Sequence, residues 1–236
     1  MLTEQLAFGI SRQPDLVTCG PTCLHAVYRY YGDEVPLDTL VKEIPQLDGG
    51  GGTMGVILAN HALQRGYRAD IYTYNLQMFD PSWFADPRTD WIAKLKAQAK
   101  VKASRRLQRA TRHYLQYLEM GGRLHMEDLT GELIRRHLRK GLPVLTGLSS
   151  TFLYRDPRVI DETNTPDDIH GTPEGHFVVI CGYRAESQEV QVADPFHPNA
   201  FGREAVYTVR MSRLVTAILS GIITYDANLV VLHPPE

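Results

Sequence analysis

Three residues that lie far apart in the sequence have the types that thiol-dependent bond cleavage requires. Cys19 precedes Gly20-Pro21 and a stretch with helical periodicity, which places its thiol at the start of a helix. There the unpaired N–H groups and the helix dipole stabilise a thiolate, the nucleophilic form of cysteine. His176 begins one apolar strand pattern, and Asp194 ends another. An imidazole that is oriented by a carboxylate can accept the proton of such a thiol.

The two strand patterns are expected to form a hairpin that brings His176 and Asp194 together. If residues 184–187 form its loop, any two residues that face each other across the hairpin have numbers that add up to about 371. Asp194 or its neighbour then lies opposite His176. Each residue also has a structural explanation: Cys19 as a core thiol, His176 as a strand-end histidine, and Asp194 as the start of a turn before Pro195. Their expected proximity favours the catalytic interpretation.

Gln13 is a fourth candidate for the same site. It lies six residues before Cys19. Its carboxamide and the Cys19 backbone N–H could together donate hydrogen bonds to a developing oxyanion. Without the other three residues, an exposed loop glutamine would be the simpler interpretation.

The motifs around these residues resemble the C39 branch of the papain-like cysteine peptidases. The first motif is Gln13-x5-Cys19-Gly20-Pro21-Thr22-Cys23-Leu24, continuing to Tyr30-Tyr31-Gly32. The second is Gly175-His176-Phe177-Val178-Val179, followed by Val190-Gln191-Val192-Ala193-Asp194-Pro195. The resemblance covers roughly residues 10–75 and 140–196, about half of the chain.

This resemblance implies an α+β, papain-like fold, in which an N-terminal helix carries the cysteine and packs on an antiparallel sheet carrying the histidine and the aspartate. It implies that Cys19 is the nucleophile, with His176 as general base and acid. Asp194 then orients the imidazole, Gln13 is the oxyanion donor, and Cys23 is an inward-facing helix residue. C39 domains of peptide exporters cut leader peptides after a double glycine. This chain has no transporter segment, so we carry over only a peptide or protein substrate.

Three alternative functions compete with this interpretation. A thioester at Cys19 could be resolved by an amine instead of water, which would make the protein an acyltransferase or amide-exchange enzyme. A catalytically silent binding module would dock an acidic partner on a basic helix. A metal site at Cys19, Cys23 and His25 lacks a second ligand pair. The glycine run at residues 49–52 lacks the Lys-Ser/Thr of a phosphate loop and is expected to form a turn, so we expect no metal or cofactor.

Composition and charge are those of an ordinary globular protein. The 236 residues are 43% hydrophobic and 22% charged, with a formal net charge of -2, which argues against a dedicated nucleic-acid-binding protein. The N-terminus lacks a signal-peptide pattern, and the longest apolar segment, residues 214–225, is too short to span a bilayer. Three cysteines do not form a disulfide framework. We expect one domain over residues 1–236, in the cytoplasm and without a membrane partner.

Local patterns predict helices in the first part of the chain and only strands with their connections after residue 140, which is typical of the α+β class. Helical periodicity indicates helices over residues 20–31, 54–65 and 129–140. Strand patterns cover residues 68–74, 143–148, 176–183, 189–194, 205–211 and 229–233. The connection at residues 151–175 is long enough to be functional. Because it ends at His176, we expect a lid with hinges at Gly171 and Gly175.

Residues 80–125 are expected to form a basic helical insertion. No acidic residue occurs from Trp91 to Leu118, and eight basic residues lie there: Lys94, Lys96, Lys100, Lys102, Arg105, Arg106, Arg109 and Arg112. Apolar residues recur with helical spacing, so the stretch forms one long amphipathic helix or two in tandem. The basic face at residues 91–118 is either solvated or binds an anionic partner, and we do not expect that partner to be nucleic acid.

Overall fold

A mixed sheet with helices on both faces forms the fold. The computed structural model describes residues 3–47, 52–161 and 163–235. Residues 49–51 of the predicted glycine-rich turn therefore lie outside the described residues. The strands are β1 (Thr3–Gln5), β2 (Arg68–Thr73), β3 (Arg123–His125), β4 (Val144–Ser149), β5 (Val159–Ile160), β6 (Thr165–Pro166), β7 (Gly175–Arg184), β8 (Glu189–Ala193), β9 (Val206–Arg210) and β10 (Asn228–His233).

The strand order in the main sheet is β3-β2-β10-β4-β7-β8-β9, and β1 also pairs with β7. Among the described strands, β2 and β3 run parallel, and the other paired strands of this sheet run antiparallel. Strands β5 and β6 form a separate small hairpin. The order places the β7–β8 hairpin away from the edge that β3 and β2 form.

Eight α-helices accompany the sheet in the described part of the chain. They are α1 (Cys19–Tyr30), α2 (Leu37–Glu43), α3 (Gly55–Gln64), α4 (Ser82–Ala85), α5 (Trp91–Val101), α6 (Arg105–Glu119), α7 (Gly131–Leu138) and α8 (Met211–Ser220). Because strand side chains alternate between faces, the sheet has two cores. Ile71 and Val179 pack with α1, α3, α5 and α6 on one face. Tyr72 and Val178 pack with α7 and α8 on the other face.

The predicted helices and strands are confirmed, and their observed ends differ from the predicted ones by at most two residues. The expectation that the chain after residue 140 is entirely β is wrong, because α8 lies there. Leu214, Ala217 and Ile218 are buried on its inner face with i, i+3 and i+4 spacing, which is the local signal for this helix. The short helix α2 was also not predicted.

The basic stretch forms two helices, α5 and α6, with a break at residues 102–104. Ser104 caps α6, since its hydroxyl accepts a hydrogen bond from Leu107 N at 3.3 Å. The Tyr117 hydroxyl donates to the carbonyls of Ala69 and Arg123, at 2.8 and 2.7 Å. The stretch therefore shares the main core with the sheet. Its basic side chains lie mostly on the exposed side, where an anionic partner stays a prediction.

The connection before His176 has structure of its own. It begins with a π-helical turn at Thr151–Arg155 and contains the β5–β6 hairpin. Gly171 N donates to Asp167 O at 3.1 Å, and Gly175 pairs with Ser149 in the main sheet. Both expected hinge glycines thus lie in hydrogen-bonded backbone, and a lid function stays a prediction.

Candidate active site

The β7–β8 hairpin positions His176 and Asp194. Its loop comprises residues 185–188, and the register shifts at Cys181, so that Val179 pairs with Ala193. The predicted register is therefore wrong by one residue at His176. The loop lies one residue later than predicted, which shifts the facing pairs by two, and the unpaired bulge residue Cys181 reverses one of these two shifts. Asp194 follows Ala193 and lies diagonally across from His176. Diagonal neighbours are within reach of long side chains, so the two groups still meet.

His176 and Asp194 form a buried pair. The Nε2–H of His176 donates to Asp194 Oδ1 at 2.8 Å, and the two residues are 8% and 0% exposed. Burial by itself lowers the pKa of His176. The charge and hydrogen bond of Asp194, followed by a hydrogen bond and charge from Cys19, outweigh this effect and raise the pKa of His176 to about 10. The ring therefore holds a positive charge at neutral pH.

Two tyrosines complete the surroundings of the Asp194 carboxylate. The hydroxyls of Tyr154 and Tyr207 each donate to Oδ2 at 2.6 Å, and Phe196 N donates to Oδ1 at 2.9 Å. Burial tends to raise the pKa of Asp194, but the charge of His176 and these hydrogen bonds hold it below its usual range. Asp194 therefore stays ionised although no part of it reaches solvent.

Cys19 is the cysteine that faces the imidazole. It is the first residue of α1, and Thr18 makes no side-chain capping hydrogen bond to the first turn. Cys23, one turn further, is fully buried, and its thiol donates to Phe177 O at 3.2 Å. Burial, followed by the negative charges of Cys19 and Asp194, raises the pKa of Cys23 well above its usual range. Burial also raises the pKa of Cys181 to about 12. Both of these thiols stay protonated at neutral pH.

Helix α1 packs closely against the strand that carries His176. A Cβ atom at Gly20 would lie 2.5 Å from Thr53 Cγ2 and 3.3 Å from the Phe177 ring. Glycine at this position therefore allows the helix carrying Cys19 to approach the residue next to His176. A larger side chain would clash first with Thr53 and would then crowd Phe177.

Gln13 lies beside the end of β8 and is not an exposed loop residue. Its backbone N–H donates to Pro195 O at 2.9 Å, and the residue is only 8% exposed. Its side-chain Nε2 donates to Asp15 O at 2.6 Å, while its Oε1 is buried without a hydrogen-bond partner. An amide nitrogen carries two hydrogens, so the carboxamide retains a second donor.

Comparison with known proteins establishes the family of this chain. A family model described as "Peptidase_C39 like family" matches residues 5–215. The chain belongs to this family. The resemblance of its sequence motifs to the C39 peptidases is thus confirmed.

Two solved structures have a similar fold. A protein from Bacillus anthracis assigned to the C39-like peptidases aligns over 100% of both chains, with 15% identity and a TM-score of 0.51. Xylellain, a cysteine protease from Xylella fastidiosa, has 13% identity and a TM-score of 0.50, over 99% of this chain and 86% of its own. These similarities confirm the α+β, papain-like architecture. A search of curated protein sequences gives no significant match.

In this C39-like protein the described residues contain no group of three or more His, Cys, Asp and Glu side chains arranged to hold a metal ion. Cys19, Cys23 and His25 therefore do not form such a group. No helix of the described chain is long and apolar enough to cross a membrane.

Sequence reasoning missed the two tyrosines of this C39-like site. Tyr207 and Val209 are the buried residues of β9, and the residues beside them are more exposed. This alternation indicates that Tyr207 faces inward, but it does not indicate that its hydroxyl meets Asp194. Tyr154 lies in the π-helical turn, in a stretch without periodicity. Its contact with Asp194 joins residues 40 positions apart, and the fold alone determines it.

Replacing Tyr207 by phenylalanine should lower the free energy of unfolding by about 1.5–3 kcal/mol, because a hydrogen bond to a buried carboxylate is lost. Urea unfolding measures the change. The matched control is Tyr74→Phe, whose hydroxyl is buried without a hydrogen-bond partner. Its removal should be neutral or stabilising. An equal loss of stability in the two variants would contradict the role of Tyr207.

Proposed function

We propose that this C39-like protein is a cysteine peptidase that hydrolyses a peptide or amide bond through a thioester on Cys19. The observation that carries the proposal is the buried His176–Asp194 pair, with Cys19 acting on the same imidazole. Asp194 occupies Nε2, which leaves Nδ1 as the ring nitrogen for the thiol. Cys19 as nucleophile thus contacts His176 as base, and His176 in turn contacts Asp194 as the orienting group.

His176 holds the proton of the Cys19 thiol before the substrate binds, because the ring is already protonated at neutral pH. The sulfur attacks the carbonyl carbon of the substrate, and the carbonyl oxygen becomes an oxyanion. The imidazolium then gives its proton to the leaving amine, the C–N bond breaks, and a thioester remains on Cys19. In the second half, His176 takes a proton from water, and the resulting hydroxide oxygen attacks the thioester. The carboxylic acid leaves, and the proton stays on His176 beside the released sulfur, which restores the starting state.

Asp194 holds the imidazole during both halves of this reaction. Its hydrogen bond to Nε2 selects the ring orientation that turns Nδ1 toward sulfur, and its charge stabilises the imidazolium. The hydroxyls of Tyr154 and Tyr207 saturate the second carboxylate oxygen. The carboxylate therefore cannot rotate away without losing hydrogen bonds in a buried site.

The oxyanion is proposed to bind between the Gln13 carboxamide and the Cys19 backbone N–H. The Gln13→Ala variant should lower kcat by about 10²–10³-fold, the usual loss of one oxyanion donor, with little change in KM. Steady-state kinetics on a peptide substrate measures both constants. Because Gln13 also donates to Asp15 O, Arg12→Ala serves as a control for general disturbance of this loop. An unchanged kcat in Gln13→Ala would remove Gln13 from the mechanism.

A peptide library digested by the protein and read by mass spectrometry tests the function as a whole. Hydrolysis predicts products whose new carboxyl groups take up ¹⁸O from labelled water. An acyltransferase or amide-exchange enzyme would instead give amide adducts when an amine is added. A silent binding module would give neither product, and its Cys19 would not react with a small alkylating agent in a His176-dependent way.

A further inference from the structure

A polar cavity lies away from the candidate active site. It has a volume of about 370 Å³ and is bordered by β2, β3, β10 and α7. Asp70 and Tyr72 line it, and they lie on the opposite face of the strand from Ile71, which packs in the core of α1. The cavity therefore opens on the sheet face opposite the helix that carries Cys19. Its size is within the range of small-molecule sites.

Donor groups surround the buried carboxylate at the base of this cavity. Asp70 Oδ1 accepts from His125 at 2.7 Å, and Oδ2 accepts from Arg123 and His233, both at 2.8 Å. Burial tends to raise the pKa of Asp70, but these hydrogen bonds hold it far below its usual range. Its charge is thus already compensated. Both carboxylate oxygens of Asp70 accept hydrogen bonds from described residues, so neither is left for a ligand.

Cationic groups exceed acidic groups along the rest of the cavity wall. Arg136 pairs with Glu127 at 2.8 Å, which compensates the second acidic residue. Lys140 also lines the cavity, and its ammonium has no ion-pair partner among the described residues. Together with Arg123, these side chains give the wall three permanent positive charges against two negative ones.

His137 supplies an independent sign that a ligand belongs here. It lines the cavity and is 5% exposed, yet neither of its ring nitrogens has a hydrogen-bond partner in the described structure. An unpaired buried polar group costs about 1–3 kcal/mol, so such groups usually have a partner. Burial, followed by the charge of Arg136, lowers the pKa of His137 to about 4, so the ring is neutral and carries one N–H donor.

We propose that this cavity is a binding site for a small molecule that carries a phosphate group. Phosphate offers three or more acceptor oxygens and up to two negative charges, which suit the donors that Arg123, Arg136, Lys140 and His137 contribute to the lining. A carboxylate has only two oxygens and one charge, and it would leave several of these donors unpaired. The volume leaves room for an organic part beside the stacked rings of Tyr72 and His125, whose centroids are 4.7 Å apart.

Calorimetric titration of the full chain with inorganic phosphate, pyrophosphate and phenyl phosphate tests this site. We expect saturable binding of these probes and no comparable binding of acetate or benzoate. The Lys140→Gln variant should weaken binding about two- to fivefold, because an exposed charge is lost. The Glu127→Gln variant should tighten binding by a similar factor, because it removes a negative charge and releases Arg136. A misfolded protein would not produce this gain.

Arg139→Gln is the matched control, since Arg139 neighbours Lys140 but pairs with Glu132 and Glu4 outside the cavity. Its affinity for phosphate should stay within about twofold of the wild type. Imidazole signals of His137 in ¹⁵N NMR spectra should shift with the same saturation curve. Absence of phosphate binding, equal effects of Lys140→Gln and Arg139→Gln, or binding of Zn²⁺ in place of phosphate would overturn the proposal. None of these measurements depends on peptidase activity.

Discussion

Replacing Cys19 by alanine should abolish peptide hydrolysis, with a loss of turnover of about 10⁴-fold or more, because no thioester can form. The fold should survive, since the change removes one sulfur atom from a position that is 6% exposed. The stability loss should stay near 1 kcal/mol. Steady-state turnover of a peptide substrate, together with the thermal midpoint of unfolding, measures both effects.

Cys23→Ala is the matched control for this experiment. Cys23 lies one turn from Cys19 on the same helix, but its thiol donates to Phe177 O and stays protonated at neutral pH. We expect turnover to be retained and only stability to fall. Cys181→Ala should behave in the same way. If Cys23→Ala were inactive while Cys19→Ala hydrolysed peptides, the nucleophile assignment would be wrong.

Asp194→Asn should produce the second-largest effect, a fall in kcat of about 10²–10⁴-fold. An asparagine has one acceptor oxygen where Asp194 has two, and those two accept from His176, Phe196, Tyr154 and Tyr207. The NH₂ group of the asparagine would face hydrogen-bond donors instead of accepting from them. The imidazole of His176 would also lose the negative charge that stabilises its protonated form. Kinetics at neutral pH measures the loss.

The pH dependence of stability gives a separate readout of the same pair. The pKa of His176 is about 10 in the folded protein and about 6.5 in an unfolded chain. A raised pKa contributes stability that is complete below about pH 6.5 and is lost as the pH rises toward 10. The stability difference between wild type and Asp194→Asn should therefore shrink over this interval. A constant difference in urea unfolding between pH 6 and pH 10 would contradict the charged pair.

Asp226→Asn controls for the replacement of a buried aspartate as such. Burial raises the pKa of Asp226 to about 7, and its carboxylate accepts from Gly55 N and Asn228. An asparagine oxygen can still accept these bonds. Turnover should be nearly unchanged. A loss as large as that of Asp194→Asn would indicate that the effect comes from core disruption.

The amino-acid sequence by itself determined the elements whose signals are local. Helix α1, the β7–β8 hairpin and the candidate residues Cys19, His176 and Asp194 follow from proline and glycine positions, periodicity and motif. The structure brings these residues together, and the family match agrees with the motif resemblance. Their catalytic roles stay predictions. Local signals suffice here because turn chemistry and side-chain periodicity act over a few residues.

Only the tertiary structure decided which distant side chains meet. The position of the hairpin loop and the bulge at Cys181 together set the register at His176, and packing placed Tyr154 and Tyr207 on Asp194. The polar cavity around Asp70 also depends on elements far apart in the chain, since its donors come from β3 and β10. No local pattern encodes such contacts. Burial of the apolar faces also buries the polar side chains beside them. These side chains then need hydrogen-bond partners, and the packing of the sheet and helices determines which partners lie within reach.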